Sequence, residues 1–314
     1  MHSRLTVAII STLLAGLFAL GGCGRGEAPG GDRLELVVAT IPPIRGLIRP
    51  LLPETIGVVT LVEPGQNAHG HRLTPAQVAT ARTADVLFAV GMGMEEGALE
   101  QFQRDRPAHQ QIAVFAELVD AGLSADAHAE HDHAAGERAS HADMHVWTDP
   151  VLCAEFVQAA SAMLIERVHA AQPSLAADIA ARRDAMLARI RTVDAAYAER
   201  LAPFSGQSVL TQHPAFARML ARYGMHEFSL SATSGHAGPS AAELSAALAT
   251  VRDRGVVAVF LEPQAPSALP RRIAEQAGLP IGTLDPLGSG DWEAMMHSNL
   301  DALVATLTQA SARP

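Results

Sequence analysis

The chain has 314 residues, of which 48% are hydrophobic, 18% are charged and only 4% are aromatic. Its formal net charge of −10 argues against nucleic acid as a partner, because chains that bind phosphates carry a surplus of Lys and Arg. Two cysteines are too few for a cysteine-rich zinc site. The 14 histidines are the informative excess, since imidazole is the commonest metal ligand in proteins.

The first 22 residues have the form of an export signal. Arg4 precedes the apolar stretch Leu5–Leu20, and small residues then lead to Cys23. This order is typical of a bacterial lipoprotein signal with a lipidated cysteine, and a membrane anchor is the alternative. Loss of Arg4 would change the charge from −10 to −11, and residues 23–33 would form a Gly/Pro-rich tether. We expect a periplasmic or cell-surface protein that is anchored through Cys23.

Short apolar runs alternate with helical stretches in two halves of the chain, residues 34–173 and 202–314. The predicted strands are Leu34–Ala39, Gly57–Val62, Val86–Val90, Ile112–Phe115, Ser208–Thr211, Glu227–Leu230, Val256–Leu261 and Pro280–Leu284. The helices between them include Pro75–Thr83, Met94–Arg104, Pro214–Tyr223, Ala241–Arg254, Ser267–Ala277 and Asp291–Leu307. Alternation of this kind predicts an α/β fold with two doubly wound lobes and parallel sheets.

One long helix is predicted between the halves, over residues 174–201. The run contains no Gly or Pro, and Ser174 is a candidate N-cap. Its apolar residues recur at helical spacing, which indicates one buried face. Its 28 residues would span about 40 Å, enough to join two lobes rigidly. An ordinary surface helix of one lobe is the alternative.

A polar stretch over residues 124–145 is rich in histidine. Five imidazoles lie there among acidic residues and alanines: His128, His131, His133, His141 and His145. Such tracts are compositional markers of metal binding, and a solvated acidic loop is the alternative. We expect the first four to be auxiliary metal ligands in a disordered loop that captures metal weakly.

Metal-competent residues follow three of the predicted strands, at the end where parallel sheets bind their ligands. His69 follows the second strand, His213 the fifth and Asp285 the eighth, and His145 precedes a helix. Three neutral imidazoles and one carboxylate form a four-coordinate set that suits Zn(II).

At these residues the chain resembles the zinc/manganese class of ABC-transporter solute-binding proteins, and most of all its high-affinity zinc-uptake branch. The resemblance covers essentially the whole mature chain and rests on ordered short motifs: Pro64-Gly65 with His69 and Thr74-Pro75, His145 to Pro150, His213 to Phe216, Arg222-Tyr223-Gly224, Gly238-Pro239-Ser240, Leu261 to Gln264, and Leu284 to Gly288. It implies two lobes joined by a long helix, a metal site in the cleft, and delivery to an ABC permease in the membrane.

The family's ligands fall on His69 and His145 in the first lobe and on His213 and Asp285 in the second. The third imidazole favours zinc, because manganese-binding members commonly have a carboxylate at that position and Mn(II) prefers oxygen. Family members usually read Pro-His at the first ligand, whereas this chain has Ala68-His69, so His71 remains an alternative or additional donor.

The resemblance implies a monomeric binding protein rather than an enzyme, with zinc chaperones as further partners. Binding of Mn, Fe, Cu or Ni, a zinc-dependent hydrolase and a metal-linked surface adhesin are the alternatives. A catalytic zinc keeps a position open for water, whereas Asp285 would fill that position here. Asp149 is expected either to orient His145 or to cap the following helix, Glu262 to bind backbone donors of its own turn, and His236 to lie in a solvated loop.

Overall fold

A computed structural model describes residues 33–95, 97–119, 143–230 and 241–313. The predicted signal, Cys23, the auxiliary histidines of the His-rich stretch (His128, His131, His133 and His141) and His236 lie outside the described residues. Of that stretch, the structure describes only residues 143–145, which include His145.

The first sheet contains four parallel strands in the order β2-β1-β3-β4. They are β1 (Leu36–Ala39), β2 (Gly57–Thr60), β3 (Val86–Ala89) and β4 (Gln111–Val114). Within the described residues, the α-helices that accompany this sheet are α1 (Pro42–Ile48), α2 (Pro75–Thr83), α3 (Ala98–Arg104) and α4 (Phe115–Leu118). A capping box between Thr74 and Gln77 begins α2, which satisfies backbone donors that the first helical turn leaves free.

The second sheet repeats this topology, with four parallel strands in the order β6-β5-β7-β8. They are β5 (Ser208–Thr211), β6 (His226–Ser229), β7 (Val256–Leu261) and β8 (Ile281–Thr283). The helices of this half are α7 (Ala217–Arg222), α8 (Ala241–Asp253), α9 (Ala268–Ala277) and α10 (Trp292–Ser311). The predicted α/β fold with two parallel sheets is confirmed.

Between the sheets, α5 (Pro150–Val168) packs along α6 (Pro173–Leu201). Each of the 29 residues of α6 adds about 1.5 Å, so the helix is about 43 Å long. It also contacts α10 of the second half, where the Tyr197 hydroxyl donates to the Met296 carbonyl over 2.7 Å. The long helix therefore packs against elements from both halves.

The sequence-based boundaries differ from the structure in a few places. Helix α1 was not predicted, although Pro42 and Pro43 occupy a first turn where their missing N–H groups cost nothing. The N-cap predicted at Ser174 is wrong, because α6 already begins at Pro173 and Gln172 precedes it without a side-chain cap. None of the helices in the described ranges has the length and apolar character that a membrane span requires.

The two halves meet closely around the segment His145–Asp149. The Trp147 indole donates to the Pro286 carbonyl over 2.6 Å, and the Trp292 indole donates to the Trp147 carbonyl over 2.8 Å. Both tryptophans are fully buried. Because these bonds cross from one half to the other, they hold the segment that carries His145 against the second half of the molecule.

Candidate metal centre

His69 lies in the loop between β2 and α2. The backbone turns through positive φ at Gly65 (84°) and Gly70 (66°), conformations that glycine adopts without a steric penalty. The His69 amide donates to the Asn67 side chain over 2.9 Å. The residue as a whole is exposed, but its ring faces inward, toward His145.

His145 is the buried member of the site, with 4% of its surface exposed. It follows Asp143 by two residues, and the Asp143 Oδ1 atom accepts hydrogen bonds from both the His145 backbone amide (2.9 Å) and the His145 Nδ1 atom (3.0 Å). The Thr148 hydroxyl in turn donates to the His145 carbonyl over 2.8 Å. Hydrogen bonds therefore hold both the ring and the backbone of His145 in place.

His213 follows β5, and Glu262 follows the neighbouring strand β7. Parallel neighbours end at the same edge of a sheet, which brings the two side chains together. The His213 Nδ1 atom lies 2.7 Å from Oε1 and 2.6 Å from Oε2 of Glu262. Glu262 is 4% exposed, so this carboxylate is buried against the ring that it contacts.

The three imidazoles converge through their Nε2 atoms. The Nε2 atom of His145 lies 3.1 Å from that of His69 and 3.2 Å from that of His213. Two nitrogens bound at 2.0–2.1 Å to one tetrahedral zinc would be about 3.3 Å apart. The observed separations are close to that value, so one ion can bridge all three rings after small movements.

The electrostatics of the site keep His69 neutral. Desolvation of its ring, followed by repulsion from His145 and His213, lowers the pKa of His69 from 6.5 to about 4. Burial acts to raise the pKa of Asp143, but its hydrogen bonds with His145 outweigh that effect and leave the pKa below its usual range. The site at neutral pH thus offers an unprotonated ring at His69, as metal binding requires.

A third carboxyl group lies behind the histidines. Glu227 of β6 is partly buried, and it accepts hydrogen bonds from the Thr211 hydroxyl over 2.7 Å and from the Phe216 amide over 3.3 Å. Burial raises the pKa of Glu227 well above its usual range, and the charges of Asp143 and Glu262 add to the effect.

Two predicted ligands lie outside the group of imidazoles. Among the described residues, the only set of three or more metal-competent side chains within 4.8 Å of one another is His69, His145 and His213. Asp285 accepts from the Gln264 side chain (2.8 Å) and from the Leu287 amide (2.9 Å). The assignment of Asp285 as a ligand therefore stays a prediction.

His71 is the other candidate that the structure places apart from the three imidazoles. Its Nε2 atom lies 3.4 Å from the side-chain Nε2 atom of Gln77. The His71 side chain lines a small cavity next to Glu95. The Glu95 carboxylate accepts hydrogen bonds from the Thr40 hydroxyl and from the backbone amides of Val90 and Gly91. The geometry favours His69 over His71 as the first ligand.

Asp149 was expected either to orient His145 or to cap the following helix, and the structure confirms the cap. Asp149 caps α5 through the Val151 amide (2.9 Å) and binds Arg222 through both carboxylate oxygens (2.8 and 2.7 Å). Asp143 holds the imidazole instead, and its position two residues before His145 was a local signal for that contact. Glu262 offered no such signal, because it lies 49 residues from His213.

Two α/β lobes with three converging imidazoles between them define a protein with a metal-competent cleft. A family model described as "ZnuA: Zinc-uptake complex component A periplasmic" matches residues 37–306. The match covers most of the chain, and the chain belongs to this family. The resemblance on which the sequence interpretation rests is thereby confirmed.

Individual relatives share about a quarter of their residues with this chain. The chain is 26% identical to the zinc-binding lipoprotein AdcA of Streptococcus pneumoniae over 319 residues, which cover 96% of this chain and 61% of the relative. It is also 26% identical to a putative metal-binding protein of Thermotoga maritima, over 81% of this chain and 85% of that protein. The chain thus spans about three fifths of the length of the streptococcal relative.

Solved structures share the fold. A crystal structure of ZnuA superposes with a TM-score of 0.71 at 20% identity, over 87% of this chain and 99% of that chain. The periplasmic zinc-binding protein TroA from Treponema pallidum gives a TM-score of 0.70 at 22% identity, over 88% and 99% of the two chains. At these identities the likeness establishes the two-lobed architecture alone.

Proposed function

We propose that this protein captures Zn(II) in the cleft between its lobes and delivers it to the permease of an ABC importer. One observation carries the proposal, namely that the Nε2 atoms of His69, His145 and His213 converge at separations suited to one tetrahedral ion. Three nitrogen donors favour zinc over manganese, which prefers oxygen. The family and the zinc-binding names of its relatives agree with this choice.

Asp285 is proposed as the fourth ligand. It follows β8 at the end of the sheet where β5 places His213, and the next residue, Pro286, is bound by the Trp147 indole close to His145. The bonds from Gln264 and Leu287 both end at Oδ1, so Oδ2 is the atom that we propose as the ligand. A fourth protein ligand would close the coordination shell, which suits capture and release better than hydrolysis by a bound water. We therefore assign a binding role and no enzymatic activity.

The remaining parts of the proposal concern location and partners. Lipidation of Cys23 would hold the protein at the outer face of a membrane, with residues 23–33 as a tether, near the permease that receives the ion. The lobes would comprise residues 34–173 and 202–314, joined by the helix over residues 174–201. Relatives described as lipoproteins and as periplasmic components support this placement. A monomer is proposed, with zinc chaperones as additional donors.

Replacement of His213 by Ala tests the proposal. The variant loses one of three nitrogen donors, so zinc affinity should fall about 100-fold or more in competition with a chromogenic chelator. His226→Ala is the matched control, because it removes an exposed imidazole from β6, and it should leave the affinity unchanged. Unchanged zinc affinity in His213→Ala would contradict the assignment, and zinc-dependent hydrolysis that this variant loses would indicate an enzyme instead.

A further inference from the structure

Two of the three imidazoles in the cleft are held from behind by buried carboxylates. Asp143 Oδ1 lies 3.0 Å from the Nδ1 atom of His145, and the Glu262 oxygens lie 2.6 and 2.7 Å from the Nδ1 atom of His213. The side chains of Asp143 and Glu262 are 12% and 2% exposed. Neither carboxylate belongs to the group of ligand atoms that converge in the cleft.

These contacts determine which ring nitrogen is free. Where the carboxylate is the acceptor of this hydrogen bond, the Nδ1 atom of the ring carries the hydrogen. The lone pair of a neutral imidazole is then confined to Nε2, the atom that faces the other rings. Without such a partner a histidine exchanges between its two tautomers, and part of the population presents an N–H group to the ion.

The same carboxylates also affect the charge of the loaded site. Zn(II) with three neutral imidazoles and the proposed Asp285 carboxylate still carries a net positive charge of about +1, which is costly to bury in a medium of low dielectric constant. The two carboxylates directly behind the rings supply the opposite charge. The Glu262 carboxylate is in addition fixed by its position directly after β7, and the Gln212 side chain accepts from its backbone amide.

We infer that Asp143 and Glu262 are positioning residues for the metal centre: they hold His145 and His213 as the Nδ1–H tautomers and balance the charge of the bound ion without touching it. This inference rests on the proposed function, because it takes the three imidazoles as zinc ligands. Glu262 was expected to bind backbone donors of its own turn, whereas its carboxylate contacts the Nδ1 atom of His213. Outer partners of metal ligands typically change affinity by about 10- to 100-fold.

Variants of Glu262 separate the two parts of this role. Glu262→Gln keeps an acceptor for the Nδ1–H group and removes the charge, whereas Glu262→Ala removes both. Glu275→Gln is the matched control, because it removes a carboxylate from the exposed surface of α9 in the same lobe. Two measurements are needed: ¹⁵N NMR spectra of the ring nitrogens of His213 in metal-free protein, assigned by their loss in His213→Ala, and zinc affinity by chelator competition.

The wild-type spectrum should show the Nδ1–H tautomer, and Glu262→Gln should retain it while zinc binds about 10-fold more weakly. Glu262→Ala should show mixed tautomers and bind zinc about 100-fold more weakly, with Glu275→Gln unchanged. An Nε2–H tautomer in the wild type, or wild-type affinity in Glu262→Ala, would overturn the inference. If Glu262→Ala fails to fold, zinc affinity in Glu262→Gln equal to that of the wild type would contradict the part of the inference that concerns charge.

Failure of the proposed function would be recognised separately. If the wild-type protein bound no zinc, the zinc-capture proposal would be wrong, whereas the ring spectra of the metal-free protein would still decide whether Glu262 holds His213 in one tautomer. Asp143→Asn offers the parallel test at His145, because its side-chain oxygen keeps an acceptor at the same place without the charge.

Discussion

Removing one partner of the ion pair between Asp149 and Arg222 should lower the stability of the protein substantially. Asp149 is the N-cap of α5 and is completely buried, and Arg222 is the last residue of α7 in the other half of the molecule. The guanidinium donates to both carboxylate oxygens over 2.8 and 2.7 Å. Although burial lowers the pKa of Arg222, its bonds with Asp149 outweigh that effect and raise the pKa above its usual value, as expected when the charged form is stabilised by its partner.

Arg222→Ala would leave the Asp149 carboxylate buried, with only the Val151 amide as a remaining donor among the contacts described above. Breaking a buried ion pair by removing one partner costs about 3–5 kcal/mol. The Arg222 side chain is 34% exposed, so water can reach part of the space that it vacates. We therefore expect a loss near the lower limit, about 3 kcal/mol in the free energy of unfolding.

Urea unfolding of metal-free protein, followed by circular dichroism, measures this loss. Asp149→Asn in the Arg222→Ala background should recover part of it, because Asn still caps α5 but carries no charge to bury. Arg272→Ala, on the exposed surface of α9, should have little effect. A loss below about 1 kcal/mol in Arg222→Ala, the range of exposed ion pairs, would refute the reasoning.

Three further outcomes are expected. Zinc at 100 times its dissociation constant should add about 2.7 kcal/mol, or about 5 °C in melting temperature, and coincident melts with and without zinc would contradict this. Because the pKa of His69 is about 4 when folded and about 6.5 when unfolded, the unfolded chain binds more protons between these values, so the stability of metal-free protein should fall as pH decreases from 6.5 to 4. Urea midpoints should show a shallower fall in His69→Gln, and parallel profiles would exclude this cause. Deletion of residues 125–140 should leave the tight site intact and remove weaker zinc binding in titrations, whereas loss of the tight site would show that the loop supplies primary ligands.

Much of the fold was predictable because its signals are local. All eight strands of the described residues lie where short apolar runs predicted them, and α2 has the predicted range Pro75–Thr83. The predicted ranges of β5 and β7 match the structure, and the ends of the other strands shifted by one or two residues, since burial and pairing rather than composition decide where a ladder stops. Helix α1 was missed because its short run of Pro, Ile and Gly has no helical periodicity, and packing against α10 stabilises it: a Cβ on Gly46 would approach the Trp292 amide nitrogen to 2.5 Å.

The site was predictable only in part. Residue type and position after strands identified His69, His145 and His213 as metal-competent, and the structure brings these three together. The contacts join residues separated by 76 and 68 positions in the chain, so no local pattern determines them. Asp149 was expected as a possible partner of His145, but the charge of Arg222 from the other half attracts it instead.

The sequence by itself determined the alternation of strands and helices, the two-lobed class and the chemical identity of the candidate ligands, because periodicity, capping and donor type are properties of short segments. Only the tertiary structure decided that His69 rather than His71 joins the other two rings, and that Asp143 and Glu262 hold those rings from behind. The physical reason is that the three rings meet only if side chains from segments far apart in the chain point toward one another. That direction is set by parallel strands ending at one edge and by the bonds that join the two halves.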